Sequence, residues 1–177
     1  MSNFKDRIIR AAKLDVHLYE EVETDTTAMR QAMGVVVLSS VAAGIGSIAQ
    51  GGAGGIFTGT IMALMSWFVW AYLTYLIGTR LLPEPQTRAN VGQLLRSVGF
   101  ASSPGLIRVV GIIPGLTGVV FFIASVWMLV AMVIAVRQAL DYTSTLRAVG
   151  VCMIGWIVQA LLFLLLFSMM CGFAQPS

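Results

Sequence analysis

The stretch 97-SVGFASSPGLIRVVGIIPGLTG-118 decides how this chain folds. It is apolar enough to enter a bilayer, yet it carries Pro104, Pro114, Arg108 and five glycines. If it crosses, the chain has five spans and its ends lie on opposite sides. If it only dips in, there are four spans and the ends share a side.

On the carboxyl side of this stretch, Leu116–Val136 reads as a clear apolar span containing Trp127. Arg137, Asp141 and Arg147 mark a polar turn, and Ala148–Cys171 is the most apolar run, with Gln159 its one strongly polar residue. On the amino side, Asn90–Arg96 reads as a short helix after the proline-broken LLPEPQTRA. Before that, Ile56 to about Thr79 is a span whose second half crowds Trp67, Phe68, Trp70, Tyr72 and Tyr75, as an interfacial aromatic belt would. The first span, Gln31–Gln50, is rich in small residues. Ser39, Ala43 and Ser47 recur every four residues, and Gly51, Gly55 and Gly59 continue the spacing through the GGAGG turn. Small residues let membrane helices approach closely, so these six are the expected packing contacts of a tight hairpin. GGAGG is no phosphate loop, because Ile56 and Phe57 follow it where Lys and Ser/Thr are needed.

Composition agrees with a membrane bundle. Charged residues make up 11% and hydrophobic ones 58%, against about 25% charged in a soluble domain. Too few charges remain to coat a water-facing surface. The net charge of +3 is small and the basic residues are scattered, which argues against nucleic acid as a partner. The amino-terminal MSNFKDRIIRAAKLD has no continuous apolar core and does not read as a cleavable signal peptide.

Residues 3–23 read as one amphipathic helix or two short ones. Phe4, Ile8, Ala11, Leu18 and Val22 share a face about 80° wide, with Arg7, Arg10 and Lys13 off it. Asp15 falls inside the apolar face, which predicts a break with Asp15 capping the next turn; the alternative is an ion pair with an arginine of the bundle. The segment is expected to lie in the cytoplasmic interface, its basic edge toward lipid phosphates. Glu20, Glu21, Glu23 and Asp25 follow as an acidic cluster, read as a solvated edge ahead of a cation or basic-partner site. Asp25 is placed to cap the first span.

Charge asymmetry chooses between the topologies. With five spans, ten of the eleven basic residues fall on the starting side: Lys5, Arg7, Arg10, Lys13, Arg30, Arg80, Arg88, Arg96, Arg137 and Arg147. The opposite side holds none. The positive-inside rule then puts the amino terminus in the cytoplasm and the carboxyl terminus outside. With four spans Arg137 and Arg147 would move outside, so the distribution favours five. The third span is expected to be short and broken, about Val98–Ile113. Arg108 within it costs about 2.5–3.5 kcal/mol at a span centre unless it snorkels or finds a partner. It is either a functional site or structural glue for a broken helix. Arg108, Pro104, Asp15 and Arg30 are the candidate contacts for lipid or a partner.

The pattern FKDRIIRAAKLDVHLYEEVETDTTAMRQA, and Gly99-Phe100 followed by Pro104, resemble the prokaryotic branch of the Yip (Ypt/Rab-interacting protein) domain family. The likeness extends over essentially the whole chain. It implies an all-α integral membrane protein: residues 1–30 an interfacial amphipathic segment, and 31–177 a five-helix domain with spans at about 31–50, 56–79, 98–113, 116–136 and 148–171. It also implies a bacterial or archaeal plasma membrane, and a role in organising membranes without catalysis. The Asp-Leu-Tyr-Gly-Pro motif of the eukaryotic branch is replaced here by LDVHLYEEVE, which argues against a Rab-type partner.

The residues offer little chemistry. His17 is the single histidine, so a bis-histidine haem or an ordinary zinc site is not expected. Cys152 and Cys171 lie nineteen residues apart in one predicted helix, about 28 Å and beyond disulfide reach; both read as small core residues. No serine–histidine–acid set can be assembled, and no span carries paired carboxylates. No cofactor or metal is expected. Gln159 reads as an interhelical hydrogen bond. The expectation is a non-catalytic organiser, scaffold or accessory subunit in contact with lipids and with other membrane subunits or itself. The alternative is a small transporter or channel with an anion or lipid-headgroup site at the broken third span.

Overall fold

The computed structural model describes residues 3–48 and 55–173 of the chain. Gly51 and most of the GGAGG turn, Gln50 at the expected end of the first span, the side chain of Cys171 and the last four residues lie outside the described set.

Two short helices open the fold, α1 (Phe4–Ala12) and α2 (Val16–Thr24). The chain reverses between them through Leu14, whose φ of 62° lies in the left-handed region. Asp15 caps α2 by accepting the His17 N–H at 3.0 Å, which explains a carboxylate at an otherwise apolar position. The first long helix, α3 (Ala28–Gly46), follows a turn in which Asp25 accepts the Thr27 N–H at 2.9 Å and its hydroxyl at 2.6 Å.

α4 (Gly55–Leu76) continues into a π turn over Ile77–Leu81. The Leu140 side chain packs onto Gly78 there, leaving no room for a Cβ. The Tyr142 hydroxyl sits 2.8 Å from the Gly78 carbonyl and 2.7 Å from that of Leu82, so its one proton is shared between carbonyls that a wide turn leaves available. After the loop come α5 (Val91–Phe100), a 3₁₀ segment (Ser103–Ile112), α6 (Thr117–Ala139) and α7 (Thr145–Phe173).

Among the described residues four helices are long and apolar enough to cross a membrane: Ala28–Gly46, Gly55–Leu81, Thr117–Ala139 and Thr145–Leu165. The stretch from Ser97 is not one of them, because its path is broken in two. Pro104, in the first turn of the 3₁₀ segment, lacks the N–H that an α-helix continuing from α5 would use. Three residues per turn then align Gly105, Arg108 and Gly111 along one row. That row lies between α3 and α6.

The register can be read from the glycines. A Cβ on Gly99 would stand 2.8 Å from the Ala32 Cβ; one on Gly105 would collide with the Ser39 hydroxyl; one on Gly46 would collide with the Arg108 carbonyl. The broken segment therefore advances beside α3 in the same direction, from Ala32 to Gly46. It runs opposite to α6, with Gly105 against Met128 and Gly111 against Phe121. A 3₁₀ helix rises about 2.0 Å per residue and an α-helix about 1.5 Å. Ten 3₁₀ residues thus cover about 20 Å where the same residues as α-helix would cover about 15 Å.

The remaining helices alternate. Ser40 of α3 meets Thr60 of α4 at 3.1 Å between hydroxyls. Gln159 of α7 donates to Ser66 of α4, and Gly155 packs on Trp70. The expected glycine spacing does not close the α3–α4 hairpin. A Cβ on Gly55 or Gly59 would meet nothing within 4 Å, whereas one on Gly44 would stand 2.8 Å from Ile56. The small residue on α3 does the admitting, and the branched Ile56 fills the gap. Ser39 is buried against Gly105, Ala43 is half-buried, and the Ser47 hydroxyl returns to the Gly44 carbonyl at 3.1 Å.

Candidate functional site

Polar groups gather in two places: a cap at the end where α3 begins, and a lone cation in the broken segment.

The cap is fastened by α1 and α2. Arg7 is buried and donates through Nε to Glu21 at 3.0 Å, through Nη1 to Gln31 at 2.9 Å and through Nη2 to Asp25 at 2.7 Å. Arg10 donates to Asp15 at 2.8 Å and Glu21 at 2.6 Å. The expected basic edge toward lipid phosphates is therefore not what Arg7 and Arg10 form. Folding α2 back on α1 sets the acidic cluster opposite these arginines, and opposite charges at hydrogen-bond distance win. Asp15 takes its expected capping role; the arginine it pairs with is Arg10 of α1, in place of one from the bundle. The Thr27 hydroxyl first, then Arg7, hold the Asp25 carboxyl down at about 2.

α2 packs on α5 and α6, with Leu18, Tyr19 and Val22 fully buried. α5 begins with a capping box, the Gln93 N–H donating to Asn90 Oδ1 at 2.9 Å and the Asn90 N–H to Gln93 Oε1 at 2.7 Å. This fixes Gln93 so that its amide donates to Glu23 at 2.9 Å. Buried Arg96 donates to the Val22 carbonyl at 2.9 Å and to the Glu23 carbonyl, satisfying the open carboxyl end of α2. The Glu23 carboxyl is pushed up to about 7, chiefly by burial, with Asp141 and Glu20 adding and Arg96 opposing. Glu20 in turn accepts from Gln138 of α6 at 2.9 Å.

A second clasp joins the loop before α5 to the turn after α6. Glu84 accepts the Thr143 N–H at 3.0 Å, its hydroxyl at 2.8 Å and the Ser144 N–H at 3.3 Å. Those donors hold its carboxyl down at about 2. Arg147 stands 3.7 Å away and donates to the Pro83 carbonyl at 2.8 Å.

Arg108 is differently placed. Its Nη2 donates to the Ser125 hydroxyl at 3.2 Å, and its guanidinium carbon lies 5.4 Å from the centre of the Phe121 ring. Its Nε is buried and has no hydrogen-bond partner among the described residues. No ion pair to Arg108 occurs among those residues either.

The other residues singled out from sequence scatter. Pro104 is buried beside Gly105 and so does not face lipid. Asp15 is occupied in the cap, and Arg30 is exposed. Trp67 turns inward to donate to the Leu95 carbonyl at 3.1 Å, while Phe68 and Tyr72 face outward. Cys152 is buried with a free thiol. Among the described residues no three His, Cys, Asp or Glu side chains group as metal ligands. Sequence reasoning passed over Glu23, Glu84, Gln93 and Arg96 as individuals. Only the Asn90–Gln93 capping pattern was there to be found.

No curated protein and no solved structure matches the chain. The Yip1 domain model matches residues 24–167, from the end of α2 into the second half of α7. The chain is therefore an integral membrane protein of the Yip1 domain family.

Proposed function

We propose that the chain crosses the bilayer five times and acts as a non-catalytic organiser or accessory subunit of a larger membrane assembly. The third crossing is the α5–3₁₀ path. From Val98, the last three residues of α5 and the ten of the 3₁₀ segment rise about 25 Å where thirteen α residues would rise about 20 Å, which brings the path nearer to the hydrocarbon core's thickness of about 30 Å. The cap then lies in the cytoplasm with the amino terminus, α1 rests in the interface, and the carboxyl end lies outside. The setting is the plasma membrane of a bacterium or archaeon, and the family branch is the prokaryotic one. Sealed vesicles of known orientation test this: a label on the carboxyl tail that reacts from the amino-terminal side refutes five crossings.

One observation carries the role. Large apolar side chains stand exposed along three of the spans: Phe57, Met62 and Phe68 on α4, Phe122 and Leu129 on α6, and Trp156 and Leu164 on α7. That surface is left to be covered by lipid or by neighbouring spans. Gly55 and Gly59 of α4 are open to such a neighbour. Purification in mild detergent followed by a mass-spectrometric inventory is the test. A stoichiometric membrane partner, or a defined self-assembly, supports the role; a chain that always migrates alone refutes it.

A small transporter or channel is the second reading, and Arg108 is the observation that favours it. Loss of a transport activity in Arg108→Leu, with assembly intact, would establish that reading over the first.

A further inference from the structure

We propose that Arg108 binds the phosphate of a phospholipid headgroup on the side opposite the cap. This deepens the readings above, and it rests on the broken segment crossing the bilayer.

The first observation is the state of the guanidinium. It has one hydrogen bond, to an exposed serine, and a ring beneath it, while Nε is desolvated without an acceptor. A buried charged donor left unsatisfied is costly, so an acceptor belongs there.

The second is that no Asp or Glu side chain of this sequence lies at the end opposite the cap. All eight Asp and Glu residues (Asp6, Asp15, Glu20, Glu21, Glu23, Asp25, Glu84 and Asp141) lie in α1, the turn after it, α2, the turn before α3, the loop after α4 or the turn after α6. None lies near the end of α6 at Thr117. A second copy in the same orientation carries its Asp and Glu side chains at the same end, so self-association brings no acidic side chain to Arg108.

The third is depth. The Arg108 backbone lies at Gly46, and its side chain covers Phe121, four residues along α6 from Thr117, or about 6 Å. The hydrogen-bonded Ser125 lies about 12 Å from the same end. Long cationic side chains snorkel toward the headgroups from such depths. Exposed Ile107, Val110, Ile112 and Phe122 flank it with apolar surface suited to acyl chains. Guanidinium matches phosphate with paired donors, and Nε supplies one of the pair.

The test is lipid retention by the full chain in mild detergent, read by native mass spectrometry. The probes are phosphatidylglycerol, a glycosyl diacylglycerol of the same acyl chains, and inorganic phosphate. Wild-type protein is expected to hold one phosphatidylglycerol about tenfold more tightly than Arg108→Gln, with no such difference for the glycolipid. Arg108→Lys should fall between them, because an ammonium offers charge without the fork; it also serves if the glutamine variant does not fold. Equal retention by wild type and both variants overturns the proposal, as does equal binding of the glycolipid. Displacement of the lipid by millimolar inorganic phosphate overturns the lipid assignment in favour of a free anion. The tail label separates the two failures. A tail on the amino-terminal side refutes the crossing, whereas a tail on the far side with unchanged retention refutes the Arg108 site alone.

Discussion

Replacing Gly46 by alanine tests the placement of the broken segment most directly. The new Cβ would overlap the Arg108 carbonyl oxygen and stand 3.1 Å from the Phe121 ring. A carbonyl within a helical run cannot swing aside as a side-chain tip can, so either α3 or the 3₁₀ segment must move. Overpacking of this kind costs about 1–3 kcal/mol, and a backbone obstacle belongs at the upper end. Alanine recovers up to about 1 kcal/mol through helix propensity, less at the last residue of a helix. The net loss is therefore about 2–3 kcal/mol. Gly59→Ala is the control, since its Cβ would meet nothing within 4 Å; it should be neutral or gain a few tenths of a kcal/mol. Unfolding of the purified variants in mixed micelles, followed by far-UV circular dichroism, measures both. On a domain of this size the Gly46 variant should melt about 4–12 °C lower. The spacing argument from sequence predicts the opposite order, with Gly59 critical in the hairpin. If Gly46→Ala unfolds within about 0.5 kcal/mol of wild type, the broken segment does not lie where its register puts it.

Three further outcomes follow from the geometry. Gly105→Ala should cost about 1–2 kcal/mol, and adding Ser39→Ala should recover much of it, because the serine hydroxyl is the nearest obstacle; strict additivity in this double-mutant cycle would refute the contact. The carboxyl of Glu23 is raised from 4.5 to about 7, so its contribution to α2 docking is full below pH 4.5 and is lost as pH rises through about 7. Amide exchange in α2 should accordingly be faster at pH 8 than at pH 5.5 after correction for intrinsic rates, and Glu23→Gln should abolish the difference. Glu84 has the opposite sign: held down at about 2, it stabilises above pH 4.5 and stops doing so as pH falls through about 2. Glu84→Gln should lower the melting temperature at pH 7 and leave it close to wild type near pH 2.

The amino-acid sequence by itself determined that this is a membrane bundle and where four of its helices lie. Those properties depend on composition and on runs of twenty or so residues, which are local quantities. Asp15 was also legible, because a carboxylate on an apolar helical face has few ways to be satisfied. The tertiary structure decided what the charges do. Helical periodicity knows only one helix and so points Arg7 and Arg10 toward lipid, whereas their partners lie beyond α1, where the chain folds back over it. The same limit hid Arg96 capping α2, and the exposure of Gly55 and Gly59, since which glycine admits a neighbour depends on where the neighbour's backbone runs. The broken segment is the clearest case. Pro104 announced that an α-helix would fail there, but only packing against α3 and α6 selects a 3₁₀ path whose three-residue turn lays Gly105, Arg108 and Gly111 along one row.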